Sequence, residues 1–250
     1  MNKHNLALLA ALAVGFSACK KDDPEPTPTT PTTGTVKLSF SFTKNGAPFS
    51  ISDIVQDGAG HAVQFDKLKF YVSDIHLTDD AMNTVGEFHE TVLLVDAAAA
   101  TNTFTLGSIA PNHIHEVHIA LGLDSLTNHA DPTQAESPLD LQEMHWSWNP
   151  SAGYKFLNME GHVDGNGDGD FGDPEDKAFV YHCATDALLT EDHFHYHADL
   201  AAGGTANLAP TIEVTTLLMG LDLLANDIAM GGGPNNQTAM ANLAAAIIGE

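Results

Sequence analysis

The chain of 250 residues carries 33 acidic and only nine basic side chains, for a formal net charge of −24. That sign repels nucleic acid, whose partners need the opposite charge, and suits cations. Fourteen histidines in so acidic a sequence point to metal before other chemistry, with solubility plus chance as the plain alternative.

At the N-terminus, Lys3 precedes a mostly apolar run from Asn5 to Phe16. The run is too short to span a bilayer as a helix and fits a signal-peptide core, so residues 1–18 read as a signal peptide. Phe16-Ser17-Ala18-Cys19 resembles the lipobox of bacterial lipoproteins, which implies lipidation of Cys19. The charged Lys20, Lys21, Asp22 and Asp23 resemble a signal for the outer face of the outer membrane. The expected address is an outer-membrane lipoprotein facing the periplasm or the cell surface, held to the membrane by its lipid anchor. Asp22 to Gly34 is a Pro/Thr-rich tether with nothing apolar to bury, which completes an anchor-and-tether segment over 19–34. About 215 residues, 35–250, remain for one β domain.

Val36 to Phe42 (VKLSFSF) alternates apolar and polar residues and predicts a strand, with Asn45-Gly46 as the turn after it. Phe65 to Leu77, Thr91 to Val95 and His113 to Gly122 predict further strands. Ser125 to Glu143, with Pro132 and Pro138, reads as a long loop, a place where function often sits. Met144 to Trp148, Tyr154 to His162, Ala178 to Cys183 and Asp192 to Leu200 follow as strands, and Thr211 to Leu218 starts as one. The Ala/Leu/Met-rich tail predicts partial helix, broken at Gly231-Gly232-Gly233-Pro234. The expected fold is mainly β: an antiparallel β-sandwich or barrel-like single domain with a partly helical C-terminal tail.

Asp164 to Glu175 (DGNGDGDFGDPE) matches the calcium-loop pattern at Asp164, Asn166, Asp168, Gly169 and Glu175. Alternating oxygen donors point to one centre, Gly169 permits the sharp turn, Asp170 offers its carbonyl and Glu175 closes the shell. The flanks read as strands, so the ion staples a hairpin. A solvated acidic turn is the alternative.

In His145-Trp146-Ser147-Trp148, strand periodicity puts the two indoles on one face and His145 on the other. In HFHYH, His193, His195 and His197 share a face opposite Phe194 and Tyr196. Alternate residues lie roughly 6.6 Å apart, so an adjacent pair can share an ion with a third ligand from another strand. His182 is a natural supplier if the two strands pair. His113 and His115 share a face with Val117 and Ile119, while His118 points away; His61, His76 and His89 read as surface residues. With Cys19 lipidated, Cys183 has no disulfide partner and is either buried or reactive.

Three segments resemble the MbnP-like family, the exported proteins found with methanobactin and copper systems: FDKLKFYVSDIHL, LGLDSLTNHADPTQAESPLDLQEMHWSWNPSAGYKFLNMEG and FVYHC. They occur in the family's order and cover most of residues 65–183. The resemblance implies a β-rich copper-binding protein. It also implies that a partner dihaem enzyme of the cytochrome-peroxidase kind oxidises one tryptophan to kynurenine, which joins histidines at the copper. Carried over, the tryptophan is Trp146 or Trp148, with a lean to Trp148; His129 matches the family's Asn-His, and His182 a histidine that ends a family strand. Two departures bear on the geometry: Asn149 to Ala152 is a longer link than the family's, and Cys183-Ala184-Thr185 replaces a glycine-containing stretch. A thiolate from Cys183 beside an imidazole favours Cu(I).

The candidate copper ligands are thus His129, His182, His193, His195, His197, His145, Cys183 and Trp146 or Trp148, with calcium at the separate oxygen-rich loop. Zinc also suits the histidines. The rival reading is a calcium-stabilised structural or adhesive surface module without a copper site. With no HExxH, G-x-S-x-G or P-loop motif, a binding protein is expected and not an enzyme.

Overall fold

VKLSFSF alternates because one of its faces lines the core. Val36, Leu38, Phe40 and Phe42 are buried and the residues between them are not, within a strand, β1, that runs Gly34–Lys44. The computed structural model describes residues 31–250. The expected signal peptide, Cys19 and most of the expected tether lie outside the described residues.

Fourteen further strands follow: β2 Ala47–Pro48, β3 Val55–Gln56, β4 Ala62–Thr78, β5 Thr84–Phe88, β6 Leu93–Asp96, β7 Asn102–Ile109, β8 Asn112–Leu121, β9 Lys155–Val163, β10 Lys177–Ala184, β11 Thr190–Leu200, β12 Thr205–Leu208, β13 Thr211–Glu213, β14 Ile228–Gly231 and β15 Ile247–Ile248. Three helices accompany them: α1 Ser125–Asn128, α2 Val214–Leu217 and α3 Pro234–Ala246. One sheet is built on β1 and takes the order β12-β1-β13-β15, with β2 and β7 also on β1. The other runs β11-β8-β4-β9-β10-β14, with β3, β5 and β6 on β4. The fold is a β-sandwich, as expected. Both sheets are mixed and not purely antiparallel, because β1 pairs in parallel with β12 and β13, and β10 with β14.

The two layers meet through aromatic rings. Phe40 of β1 stands edge-on to Phe70 of β4, centroids 6.3 Å apart. Phe70, Tyr71, Val72, Ile75 and Leu77 are fully buried along β4. Helix α3 opens with Pro234, whose missing N–H costs nothing in the first turn, and packs Ala239, Met240, Leu243 and Ala246 into the core.

Strand β4 is long enough to carry two partners in succession on one edge. Phe70 pairs with Leu157 of β9 and with Val95 of β6. Val72 pairs with Leu121 of β8 and again with β6, at Leu93. Strands β9 and β8 therefore share one edge of β4, end to end. A register shift between Ser73 and His76, with Asp74 at φ 48°, marks the bend between them.

Met144 to Trp148 is not a strand. A 3-10 turn covers Gln142–Met144, and only a single bridge joins His145 to Tyr154. Strands β2, β3, β5, β7, β12, β14 and β15 lie outside the strands expected from the sequence. Most are short; β7 (NTFTLGSI) has a visible two-residue alternation.

Asn45 and Gly46 take φ values of 51° and 74°, the two-residue hairpin geometry expected of that pair, and join β1 to β2. Glu213 clamps this hairpin: its carboxylate accepts N–H groups from Asn45 at 2.8 Å and Gly46 at 3.0 Å. Burial pushes its pKa up, but the Thr215 hydroxyl and the backbone donors outweigh burial and hold it down at about 2, below the ordinary 4.5. A lowered carboxylate pKa gives stability that is complete above the ordinary value and is lost as pH falls through the folded one. Glu213→Gln is therefore expected to destabilise the chain at neutral pH and to flatten its stability between pH 4.5 and about 2, measured by urea unfolding across that range. An unchanged acid limb would exclude the clamp.

Candidate metal centre

Trp146 is buried at 4 % exposure against Ala152 and Ala184. Its ring lies 6.4 Å, edge to face, from that of His182 on β10. Trp148 is 68 % exposed and stands edge-on over Trp146, with centroids 4.7 Å apart. The buried indole beside the histidine is thus Trp146, and Trp148 lies at the surface above it.

His182 is held from three sides. Its Nε2 lies 2.9 Å from Glu160 Oε1 and 3.4 Å from Lys155 Nζ. Its backbone carbonyl accepts from the fully buried Asn236 amide at 3.0 Å. Burial lowers the pKa of His182, and Lys155 adds to the effect against the opposing hydrogen bond to Glu160, so the neutral imidazole is favoured. Burial likewise lowers the pKa of Lys155. Three buried polar groups here lack hydrogen-bond partners: His182 Nδ1, Trp146 Nε1 and both amide atoms of Asn158, the residue opposite His182 on β9. Unpaired buried polar groups are costly, and a polar or ionic guest here would relieve that cost.

His129 caps the C-terminal end of α1 and places Nε2 3.0 Å from Asp186 Oδ1. Asp186 lies just past the end of β10, where hydrogen bonds from Ser125 and Asn128 lower its pKa. His129 and His182 therefore address the same end of β10, each with Nε2 against a carboxylate. Such a partner fixes the tautomer and leaves Nδ1 as the donor to a metal. His129 and His145 also line one cleft of about 820 Å³. Burial lowers the pKa of His145, whose ring meets Tyr154 at 5.0 Å. The sequence offered no signal for Glu160 or Asp186, because their role exists only once β9 and β10 are paired.

Four expected ligands, Cys183 and the three histidines of HFHYH, fall away from this centre. Cys183 points into the main core at 0 % exposure, 3.8 Å from the Asn236 carbonyl, and burial raises its thiol pKa far above the ordinary value. Alternation along β10 separates it from the face of His182 and Ala184. The pairing of His182 with the HFHYH strand is also overturned. His182 stands in register with Asn158 and Lys69, whereas His193 stands in register with His118 and His76. From Lys69 to His76, at about 3.3 Å per residue, the two registers lie roughly 20 Å apart.

His193, His195 and His197 do share a face, with Phe194 buried behind them. Their neighbours are histidines of β8 and β4. His118 stacks on His193 at 5.4 Å and on His76 at 4.4 Å. His115 meets His195 at 5.2 Å and His197 at 4.7 Å, and His113 meets His197 at 5.6 Å. His113 and His115 therefore do not oppose His118. The large buried apolar residues of β8 are Ile114, Val117, Ile119 and Leu121, a three-residue step before the alternation. That phase change coincides with the β11–β8 register shift between His195 and Ala198.

The acidic loop forms the β9–β10 hairpin connection, as expected. Asp164 is buried and accepts backbone N–H groups of Asn166 (3.1 Å), Gly167 (2.6 Å) and Gly169 (2.9 Å), which lower its pKa. The neck is closed by Asp176, which receives the N–H groups of Gly165 and Asp173, while Glu175 is exposed. Asp168 and Asp170 are exposed on the same loop.

The chain is thus a β-sandwich in which a buried imidazole, His182, and an exposed one, His129, each face a carboxylate near one end of β10, with the Trp146 indole beside His182. The family model described as MbnP matches residues 33–239, and the chain belongs to the MbnP family. The solved structure of MbnP from Methylosinus trichosporium is similar over 83% of this chain and 87% of that one, at 16% identity and a TM-score of 0.54. That likeness is one of fold. A search of curated proteins finds no match. The family is linked to methanobactin and copper, and membership suggests a methanobactin-associated protein.

Asn128 holds the centre together. Its Oδ1 accepts the Tyr154 N–H at 2.7 Å and its Nδ2 donates to Asp186 at 2.7 Å. A Cβ on Gly153 would sit 2.2 Å from Asn128 Oδ1, so only glycine, at φ 72°, lets the two chains approach. Asn128→Ala is expected to cost about 1–3 kcal/mol by leaving buried groups unpaired. Urea unfolding checks this, and a loss within error would show that the contact is incidental.

Proposed function

We propose that this protein is an exported, membrane-anchored lipoprotein that binds copper at the Trp146–His182 pocket and serves copper acquisition or handling, as a binding protein and not an enzyme. The reading rests on one observation above the others. His182 and His129 each have Nε2 tied to a carboxylate, and His182 Nδ1, Trp146 Nε1 and Asn158 are buried without partners beside one another. Imidazole nitrogens suit copper, and a neutral, oriented imidazole is the form that binds it. Family membership supports the choice of metal. His182 and His129 are the proposed ligands, with His145 at the cleft. Trp146 is the residue we assign for oxidation to kynurenine by a partner dihaem enzyme, because it and not Trp148 touches His182.

The test is intact mass and metal analysis of the full chain from its native host. We expect bound copper, a kynurenine mass change on the peptide carrying Trp146, and loss of that copper in a His129→Gln/His182→Gln variant. Copper content unchanged in the double variant would end this reading.

We propose calcium for the loop from Asp164 to Glu175, supported by its ligand spacing and its hairpin position. Bound calcium stabilises the native state by about 2.7 kcal/mol at a hundredfold excess over Kd. Calcium is expected to raise the Tm of the chain, and not of an Asp168→Ala/Glu175→Ala variant. Equal Tm with calcium and with chelator would reject it.

A further inference from the structure

Glu116 lies on β8 at 6 % exposure, yet neither of its carboxylate oxygens makes a well-formed hydrogen bond. Three imidazoles surround it. His195 Nδ1 is 3.2 Å from Oε1, His118 Nε2 is 3.2 Å from Oε2, and His115 adjoins both Glu116 and His195. The neighbouring nitrogens are equally unsatisfied: His76 Nδ1, His115 Nδ1 and His118 Nε2 are buried and lack partners. A buried carboxylate facing imidazole nitrogens without hydrogen bonds is poorly compensated. A cation held by Glu116, His115 and His195 would satisfy the carboxylate and part of this group.

Two donor sets lie side by side on this strip. In one, ligand atoms of His115, Glu116 and His195 lie within 4.8 Å of one another; in the other, those of Asp80, His113 and His197 do. The sets are joined where His115 meets His197 at 4.7 Å and approaches Asp80 Oδ1 at 3.3 Å. Each combines two imidazoles with one carboxylate, a donor set for zinc and neighbouring late first-row divalent ions. Five of the six donors sit on the paired strands β8 and β11, and Asp80 reaches the strip from the turn between β4 and β5. His118 and His76, stacked beyond Glu116, extend the same face.

We infer that the outer face of β11–β8–β4 is a second metal site, distinct from the tryptophan pocket, that takes two zinc-class divalent ions on His115/Glu116/His195 and Asp80/His113/His197. The site does not depend on the copper reading. It lies on the other half of β4, roughly 20 Å along the sheet at strand rise, and uses different residues.

The experiment is calorimetric titration of the metal-free full chain with zinc chloride, with metal analysis after gel filtration. A His113→Gln/His115→Gln/His195→Gln/His197→Gln variant is expected to bind two fewer zinc ions than the unaltered chain. Each pairwise variant, His115/His195 or His113/His197, is expected to lose one. Glu116→Gln is expected to weaken the first site roughly 10- to 100-fold or more, since even groups that only orient ligands are worth that much. His129→Gln/His182→Gln is expected to leave these two ions in place, which separates this site from the copper pocket. Should a strip variant fold poorly, protection of the unaltered chain decides the matter: zinc should shield His113, His115, His195 and His197 from diethyl pyrocarbonate, read by peptide mass. Equal zinc stoichiometry in the unaltered and fourfold-substituted chains, or no shielding, overturns the proposal.

Discussion

Strand β4 organises the molecule because its seventeen residues outrun any one partner. On a single edge it hydrogen-bonds β9 along its first half and β8 along its second, with the Asp74 bend between them. Each half then builds outward, through β9 to β10 and β14, and through β8 to β11. The tryptophan pocket belongs to the first half and the histidine strip to the second. Their separation is a consequence of strand register, and loop placement cannot close it. The aromatic interlock of Phe40 with Phe70, at the junction of the halves, couples both to the second sheet.

Much of this was legible along the chain. The strands with clear alternation, VKLSFSF and HFHYH among them, formed where their pattern put them, because period two and one buried face leave little choice. The Asn45-Gly46 turn followed from backbone preference alone. What stayed hidden was pairing. HFHYH shows that three imidazoles share a face, but not that β8 lies beside it and β10 does not. The error about His118 was partly avoidable. In HIHEVHIAL the apolar residues fall at 114, 117, 119 and 121, and that opening step of three is itself a bulge signature. MHWSW misled for a different reason. Its aromatic residues have strand preference, but tertiary context overrode it: the segment is tied down by the Trp146 N–H to the Gly153 carbonyl and by packing of Trp146 on Ala152 and Ala184. The orienting carboxylates Glu160, Asp186 and Glu116 were beyond a linear reading, since acidic residues are common everywhere in this chain.

That acidity has a structural use. With nine lysines and no arginine, the protein pairs its carboxylates with histidines, as in Glu160–His182, Asp186–His129, Asp57–His61 and Asp199–His113. A carboxylate beside an imidazole decides which nitrogen carries the proton and which is left as a lone pair. The same arrangement that stabilises the apoprotein therefore prepares ligands. Asp57–His61 shows the purely structural version: Asp57 also accepts the N–H groups of Ala59, His61 and Leu223, so its oxygens are already committed.

The two histidine regions differ in what surrounds the nitrogen, and the difference separates their chemistry. At His182 the ring is closed in by Trp146, Asn158 and Lys155, water is largely excluded, and the nearby lysine penalises added positive charge. A pocket of that kind discriminates against hard or highly charged ions and favours a soft, low-charge one. The strip is the opposite case. Its imidazoles are partly exposed, and Glu116, Asp80 and Asp199 supply negative charge beside them. Divalent ions gain most there, because the carboxylates offset the charge they bring and the exposed rings leave open positions for water. One acidic sandwich thus presents two imidazole environments, both with carboxylates, that differ in exposure and in the lysine beside one of them, on the two halves of a single bent strand. A cation's charge and softness, more than its size, would govern which half it occupies.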